Sequence, residues 1–315
     1  MRRNINTCRV EGYVFDSSKL AVRETGENSK NPGTTYIAGD LDIAIDEEGL
    51  NIVSVHFTYV TKFYSRSGKA NNTFTNLMRI IDEPHRTWLE AGKAEAFKVR
   101  VDGSLALNDF VSSDGKMISA KRCEGSFLTI VNNLGKGNDR NTFSLDMVIN
   151  RVVHIEADPE KNIKDDYVVL GGAAFNFRND LLPIELVVKS KEGMKYFESI
   201  DVDSEPLYTK VWGKINSYTD TVDREEGSAF GDAQVISYTR KVREWAVTGA
   251  AKIPYEYGEE DVLTEEELTA AIQNREVYLA EVKQRNDEYL ASKNNEKKTV
   301  EKINNASVKK GKFNF

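Results

Sequence analysis

Apolar and polar residues alternate through most of the first 130 residues, as they do in strands that bury one face. The alternation predicts β-strands over residues 6–15, 34–45, 50–64, 96–110 and 116–131. Between the third and fourth strands, apolar residues at spacings nearer three and four predict a helical segment over residues 74–92, interrupted by Pro84. The predicted order is therefore three strands, a helical segment and two strands.

The chain repeats that order after residue 140. The pattern predicts strands over residues 143–157, 166–177, 182–189, 207–218 and 233–249, with a short helix over 192–200. Glycine-centred segments, "KVRVDGSLALND" and "TKVWGKINSYT", stand at the same place in the two series. This recurrence indicates an internal duplication. The alternative is that valine-rich strands containing a glycine resemble one another by chance.

Residues 258–315 follow a different pattern. A capping box, Thr264 to Glu267, predicts the start of a long helix. An apolar stripe at spacings of three, four and seven runs along it through Leu268, Ile272, Leu279, Val282 and Tyr289. Arg275 and Asn286 interrupt the stripe, so we expect docking on the second barrel or weak self-association rather than a strong coiled coil.

After Lys293 the sequence is polar and basic and ends in Phe313 and Phe315, which predicts a frayed or disordered tail. The pattern as a whole divides the chain into a first domain over residues 1–135, a second over 136–257, and the C-terminal helix and tail over 258–315.

Composition describes a soluble globular protein, with 40% apolar and 30% charged residues in 315. The longest apolar runs are too short to span a bilayer, and the basic start "MRRNINTCRVEGY" lacks the apolar segment of a secretory signal. We therefore expect a cytoplasmic protein without a membrane partner. Cys8 and Cys123 are too few and too far apart in sequence for a zinc site or a disulfide framework, so we expect both to be reduced and buried.

The net charge of −7 is unevenly distributed. Residues 1–150 carry 19 basic and 19 acidic side chains, whereas residues 151–257 carry 14 and 19. Residues 49–81 contain Lys62, Arg66, Lys69 and Arg79 and no carboxylate. Such a local basic field favours a polyanionic ligand, although chance clustering on a solvated loop would give the same pattern.

Five strands with a helix between the third and fourth is the order of the OB-fold. The opening "NTCRVEGYVF", the ring-bearing "VSVHFTYVTKFY", and the glycine-centred "VRVDGSLALNDF" and "TKVWGKIN" resemble segments of single-stranded DNA-binding proteins, particularly those of bacteriophages. The resemblance implies a mainly β protein with two tandem five-stranded OB-fold-like barrels, followed by a C-terminal helix and tail. It also implies single-stranded DNA as the ligand.

Proteins hold single strands with cations along the phosphates and aromatic faces against the bases. Alternation in residues 53–64 assigns Phe57, Tyr59 and Phe63 to the core face. The outward candidates for single-stranded DNA binding in and after this strand are His56, Lys62, Tyr64, Arg66, Lys69 and Phe74.

Similar sorting of the other strands adds candidates from both repeats. The further candidates are Arg9, Tyr13, Phe15, Lys98, Arg100, Lys121 and Arg122 in the first repeat, and Lys210, Trp212 and Lys214 in the second. A contact between domains would explain Tyr13 and Phe15 equally well, and Trp212 is alternatively covered by the C-terminal segment. Asp40 and Asp42 share an outward face and would repel a phosphate backbone.

Catalytic motifs are weak in this sequence. Asp40, Asp42 and Asp46 could hold Mg²⁺, but an ordinary solvated strand face explains them better, and we assign no catalytic residue, metal or cofactor. We expect a non-catalytic protein that coats single-stranded DNA in phage replication or recombination, with RNA as a further ligand not excluded. Replication or recombination proteins are candidate partners of the C-terminal region. The alternative is a protein-binding or virion module built on the same barrels.

Overall fold

The computed structural model describes residues 4–64, 67–158, 161, 163–227, 230, 234–257 and 262–308. The elements of its first half are β1 (Asn6–Asp16), β2 (Ala21–Glu24), β3 (Thr35–Ala44), β4 (Ile52–Thr61), α1 (Asn72–Asp82), α2 (Trp88–Ala91), β5 (Lys98–Val111) and β6 (Met117–Ile130). A 3-10 turn at Pro84–Arg86 separates the two helices, as the position of the proline predicts.

Strands β1, β3, β4, β6 and β5 pair in that circular order and close a ring, because β1 pairs with both β3 and β5. β4 and β6 run parallel, with Val55 opposite Cys123. The short β2 pairs with β3. Its four residues carry too little alternation for the sequence to predict it.

The second half repeats this arrangement. Its elements are β7 (Thr142–Ile155), β8 (Tyr167–Phe175), β9 (Leu181–Val188), α3 (Lys191–Glu198), β10 (Leu207–Glu226) and β11 (Gln234–Ala250). Strands β7, β8, β9, β11 and β10 close the second ring, with β9 and β11 parallel. β10 continues to Glu226, beyond the predicted end at residue 218.

Each ring therefore has five strands in the same circular order and a helix between its third and fourth strands, which is the OB-fold arrangement. The predicted fold class, a mainly β protein with two tandem OB-fold-like barrels and a C-terminal helix, is confirmed. We call the rings the first and second barrel. The first barrel's strands lie within residues 6–130 and the second's within 142–250, while the predicted domain boundaries stay predictions.

The two barrels are joined through β1 and β7, which pair antiparallel with Cys8 opposite Phe143. A glycine stands at the same place in each barrel. A side chain at Gly103 in β5 would overlap the backbone carbonyl oxygen of Glu124, and one at Gly213 in β10 would overlap that of Ala246. The fourth and fifth strands thus approach each other closely in both barrels.

Both cysteines lie in the core of the first barrel, and both are free. Their positions far apart in the sequence are brought together by the ring. A hydrogen bond between the two thiols, together with burial, raises the pKa of Cys8 well above its usual range. The predicted burial of both side chains is confirmed.

Helix α4 (Glu265–Val308) begins next to Thr264, as the capping box predicts, and continues past the predicted end at Lys293. Residues 266–315 group with residues 107–120, the tip of the β5–β6 hairpin, into a unit separate from the one that contains the two barrels. The predicted docking of the helix on the second barrel, or its weak self-association, stays a prediction. None of the helices in the described part of the chain has an apolar stretch that could cross a lipid bilayer.

A buried ion pair holds this smaller unit together. The Arg275 guanidinium donates two hydrogen bonds to the Asp109 carboxylate, at 2.8 and 2.5 Å, and Ser119 donates a third to the same carboxylate. The side chains of Arg275 and Asp109 are only 11% and 3% exposed. Arg275, which appears in the sequence to interrupt the apolar stripe, is thus the residue that binds the hairpin.

Candidate nucleic-acid interface

An irregularity in β4 decides which aromatic rings of the first barrel face outward. Ile37 lies opposite Val60, but Gly39 lies opposite Phe57, so β4 carries one residue more than β3 between the two pairs. Such a bulge reverses the alternation beyond it. Phe57 is fully buried, as predicted, whereas Tyr59 and Phe63 are 48% and 53% exposed. Their assignment to the core is wrong.

The exposed rings gather where β4 ends. Tyr59 packs against Tyr36 of β3, with ring centroids 4.6 Å apart. The Lys62 ammonium lies 5.7 Å from the centroid of the Phe63 ring. We call the cluster the aromatic face, and its members are Tyr36, Tyr59, Lys62, Phe63, Tyr64 and Lys69. It combines ring faces with cations, the two groups that hold single strands.

Backbone hydrogen bonds fix the loop that carries the last part of the aromatic face. Phe63 and Ala70 form an isolated bridge, and the Tyr64 amide donates to the Lys69 carbonyl oxygen at 2.9 Å. Asn71 then donates its backbone N–H to the Lys62 carbonyl oxygen at 2.9 Å, while its side chain accepts from the Thr73 amide and caps α1. The loop is therefore anchored at its base to the start of a helix.

The carboxylates of β3 have local partners. Asp40 lies 2.8 Å from His56 Nδ1, and Asp42 binds Lys19 at 2.9 Å and accepts a hydrogen bond from Ser54. Asp46, beyond the strand, accepts from two backbone amides of the following turn. These charges are compensated within the barrel. No group of three or more potential metal ligands exists among the described residues.

Two of the candidates near this face are less exposed than predicted. Phe74 is in α1 and only 9% exposed, so it belongs to the core rather than to an open loop. His56 is half-buried and paired with Asp40. Arg66 lies outside the described residues. Lys62, Tyr64 and Lys69 are exposed, as predicted.

Helix α2 covers the rings of β1. Tyr13 is 9% exposed and meets Trp88 edge to face at 5.5 Å, and Phe15 lies 6.3 Å from the same indole. The prediction that Tyr13 and Phe15 form an open face is therefore wrong. Lys98 lies 6.0 Å from the Tyr13 ring and donates to the Asn132 carbonyl oxygen. Packing by a neighbouring helix was not visible from strand alternation.

Three candidate arginines of the first barrel, Arg9, Arg100 and Arg122, are paired with carboxylates. Asp102 accepts from Arg9 at 2.7 Å and lies 3.6 Å from Arg100. Arg122 lies 3.6 Å from Glu124. Each pair remains partly exposed, so a phosphate would have to compete with a carboxylate for these cations.

Lys121 faces the second barrel. Its ammonium lies 5.4 Å from the centroid of the Trp245 ring, and burial lowers the pKa of Lys121. A half-buried cation next to another strand is poorly placed for a phosphate. Lys121 belongs to the contact between the barrels, not to the aromatic face.

The second barrel presents Trp212 differently. Its ring is 41% exposed and lies over Gly249 of β11, where an added Cβ would come within 2.6 Å of the indole. The segment after β11 packs on Tyr208, since the Tyr255 ring lies tilted against it at 5.0 Å and the Tyr257 ring is stacked on it at 6.1 Å. One face of the Trp212 indole is thus occupied by its own barrel.

Strand β7 pairs with β10 on one side and with β1 on the other, so Trp212 and its neighbours in β10 share a sheet surface with residues of β1. Lys214 lies opposite Thr142, which lies opposite Arg9, and directly opposite residues project to the same face. Lys214 donates to the Arg140 carbonyl oxygen at 3.0 Å, and burial lowers the pKa of Lys214. Lys210 lies opposite Asp146.

Sequence reasoning missed Tyr59 and Phe63 as exposed rings. A signal was present, because a glycine inside a strand often marks a bulge. Gly39 is that residue, and it stands directly opposite Phe57, where the alternation changes.

Comparisons with known proteins give one family and a set of similar folds. The model of a family described as YorF matches residues 5–285. No curated protein matches the sequence. Two structures of the single-stranded DNA-binding protein from Thermus aquaticus are similar at 13% identity. The wild type has a TM-score of 0.45 and covers 82% of this chain and 97% of its own, and a deletion mutant has a TM-score of 0.44 and covers 82% and 98%.

Proposed function

The chain belongs to the YorF family, and we propose that it is a non-catalytic protein that binds single-stranded DNA through the aromatic face of its first barrel. The observation that carries the proposal is the exposed ring of Tyr59, which packs on the half-buried Tyr36, beside the exposed Phe63 and Lys62. These residues lie on or next to β3 and β4, the second and third strands of the barrel. In OB-folds this face is the usual place for oligonucleotides.

Exposed rings support a ligand with flat apolar faces. Tyr59, Phe63 and Tyr64 are 48%, 53% and 38% exposed and lie within one short stretch of chain. Base stacking on a protein ring contributes about 1–3 kcal/mol per base. Two or three stacked bases would together contribute about 2–9 kcal/mol, and phosphate contacts would add to that.

Free cations support a ligand with phosphates. Among the residues that the structure describes, neither Lys62 nor Lys69 forms an ion pair with a carboxylate, whereas Arg9, Arg100 and Arg122 do. Unpaired lysines next to rings give phosphates a contact without displacing an existing partner. The paired arginines are secondary contacts in this proposal.

The finer role follows the sequence resemblance. The protein would coat and protect single-stranded DNA during replication or recombination in a bacteriophage, with the first domain, residues 1–135, carrying most of the binding. The C-terminal region would bind other replication or recombination proteins. We place this action in the cytoplasm of the host cell.

The test is an anisotropy titration with fluorescein-labelled oligo-dT of about 30 nucleotides, enough for two OB-folds, at about 50 and about 200 mM salt. We expect binding that weakens with salt, and an affinity about 5- to 150-fold lower for Phe63→Ala. Lys62→Ala and Lys69→Ala should each reduce the salt slope by about 0.7.

The matched control is Leu50→Ala, which removes an apolar side chain that is 69% exposed in the turn between β3 and β4. Its affinity should equal that of the wild type. Absence of wild-type binding at low salt would contradict the proposal and favour the alternative of a protein-binding module. A parallel titration with oligo-U tests RNA.

A further inference from the structure

The turn between β8 and β9 carries an exposed aromatic ring of the second barrel with a cation over it. Phe177 is 85% exposed. The Arg178 guanidinium carbon lies 5.2 Å from the centroid of the Phe177 ring. A ring displayed this openly has a face available for a stacked base.

The turn holds this ring in a fixed place. The Asn176 side-chain oxygen accepts from the backbone amides of Arg178 and Asp180, at 2.8 and 3.0 Å, and its amide group donates to the Asp180 carboxylate at 2.9 Å. Asn179 adopts the left-handed backbone conformation with φ of 63°, which asparagine tolerates better than most residues. The backbone that bears Phe177 is thus organised before any ligand binds.

The first barrel reaches the same turn. Asn4 donates a side-chain hydrogen bond to Asn179 at 2.7 Å, and Asn6 donates to the Phe175 carbonyl oxygen at 3.2 Å. β1 therefore begins beside the turn and leads into the first barrel. A ligand that extends from the first barrel along this junction would meet Phe177.

The pairing of a cation with an exposed phenylalanine occurs on both barrels. Lys62 lies over Phe63 in the first barrel, as Arg178 lies over Phe177 in the second. Within the described part of the chain, Arg178 forms no ion pair with a carboxylate, while the Asp180 carboxylate next to it is bound by Asn176. The ring can stack on a base, and the guanidinium can bind the adjacent phosphate.

We propose that Phe177 and Arg178 form a second stacking site for single-stranded nucleic acid, on the second barrel at its junction with the first. The site rests on the proposed function and extends it, because a strand held on the aromatic face would continue onto the second barrel when it is long enough. A strand that fills one barrel alone would not use it.

The test compares two lengths of labelled oligo-dT, about 8 and about 30 nucleotides, which correspond to one and to two OB-folds. For Phe177→Ala we expect the affinity for the long strand to fall about 5- to 150-fold and that for the short strand to stay unchanged. Arg178→Ala should reduce the salt slope with the long strand only, by about 0.7. Ile253→Ala, which alters a side chain that is 78% exposed, should match the wild type with both strands.

A second variant reports stacking directly. In Phe177→Trp, the new indole should be quenched by the long strand beyond the quenching seen in the wild type, because a stacked base quenches indole emission. Unchanged long-strand affinity in Phe177→Ala, with intact wild-type binding, would overturn the second site and leave the proposed function standing. Failure of the wild type to bind either strand would overturn both. An equal loss of affinity for both strand lengths would place Phe177 in the site that short strands use. It would contradict the proposal that only long strands reach Phe177.

Discussion

The two barrels share strand order, helix position and an equivalent glycine, yet their outer surfaces differ. The first exposes Tyr59 and Phe63 beside two lysines that lack carboxylate partners among the described residues. The second covers Tyr208 with two tyrosines, places Trp212 over Gly249, and binds Lys214 to a loop carbonyl oxygen. The same topology thus leaves Tyr59 and Phe63 open in the first barrel, whereas the second barrel covers Tyr208 and one face of Trp212.

This difference distinguishes the residues that close a barrel from the features that expose rings to a ligand. Both barrels require buried aliphatic residues inside and a glycine where the fourth and fifth strands approach, since these close the ring. Neither requires a bulge that turns rings outward. We therefore connect the bulge opposite Gly39 with the binding of a ligand rather than with the stability of the barrel.

Their long hairpins differ too. The tip of the β5–β6 hairpin, residues 107–120, forms one unit with α4 through the Asp109–Arg275 pair. In the β10–β11 hairpin, Val235 and Tyr238 remain 57% and 50% exposed. A hairpin of two strands is marginal by itself, so the helix explains how the first tip is stabilised.

The largest expected effect is the loss of that ion pair. Asp109→Ala leaves the Arg275 guanidinium buried without its carboxylate, which costs about 3–5 kcal/mol in the stability of the unit formed by α4 and the hairpin tip. Hydrogen exchange of residues 107–120 and of α4 measures it. The matched control is Glu185→Ala in the second barrel. The Glu185 side chain is 57% exposed, and that of its partner Arg151 is 54% exposed. That change should cost at most about 1 kcal/mol, and equal effects of the two variants would contradict the role given to burial.

Next in size is a pair of equivalent glycine substitutions. Gly103→Ala and Gly213→Ala should each lower the free energy of unfolding by about 1–3 kcal/mol, because the new Cβ overlaps a carbonyl oxygen of the next strand. Urea denaturation measures both. Gly26→Ala serves as the control, since nothing lies within 4 Å of its added Cβ. If only one barrel responded, the two glycines would not be equivalent.

A comparison of two rings tests the difference in binding. Tyr59→Ala should weaken binding of long oligo-dT by about 1–3 kcal/mol, the contribution of one stacked base. Trp212→Ala should have a smaller effect, because one face of its indole already lies over Gly249. Anisotropy titration of both variants measures the difference. A larger loss for Trp212→Ala would make the second barrel the principal binding surface and reverse the comparison.

The smallest effect concerns a contact between a strand and the helix of the second barrel. The Nδ1–H of His154 in β7 donates a hydrogen bond to the Glu198 carboxylate of α3, and this contact raises the pKa of His154 above its ordinary value, about 6.5. Its stabilisation is complete below the ordinary value and is lost as the pH rises through the raised pKa. NMR titration should show the raised pKa return to the ordinary range in Glu198→Gln. An unchanged titration in that variant would assign the shift to another group.

The local sequence was sufficient for the order of elements. Alternation and the two glycine-centred segments predicted ten strands, the interrupted helix and the long C-terminal helix, because each depends on the period of neighbouring residues. The short β2, which pairs with β3 alone, was not predicted, since a strand of four residues carries almost no periodic signal.

Exposure of individual side chains could not be predicted in the same way. Tyr59 and Phe63 were misassigned because one extra residue in β4 reverses the alternation, and Tyr13 because Trp88 covers it from another element. Both effects depend on neighbours that are distant in sequence. The candidate site was therefore found in its general position, while its rings were identified only in the structure.

The sequence by itself determined that two series of strands, each with a helix after the third, would form barrels, and that the region around Lys62 lacks carboxylates. The tertiary structure alone decided that Tyr36 meets Tyr59, that Cys8 meets Cys123 and that Asp109 binds Arg275. The physical reason is that backbone periodicity is a property of adjacent residues, whereas contact and exposure depend on register and packing between segments that the chain brings together only when it folds.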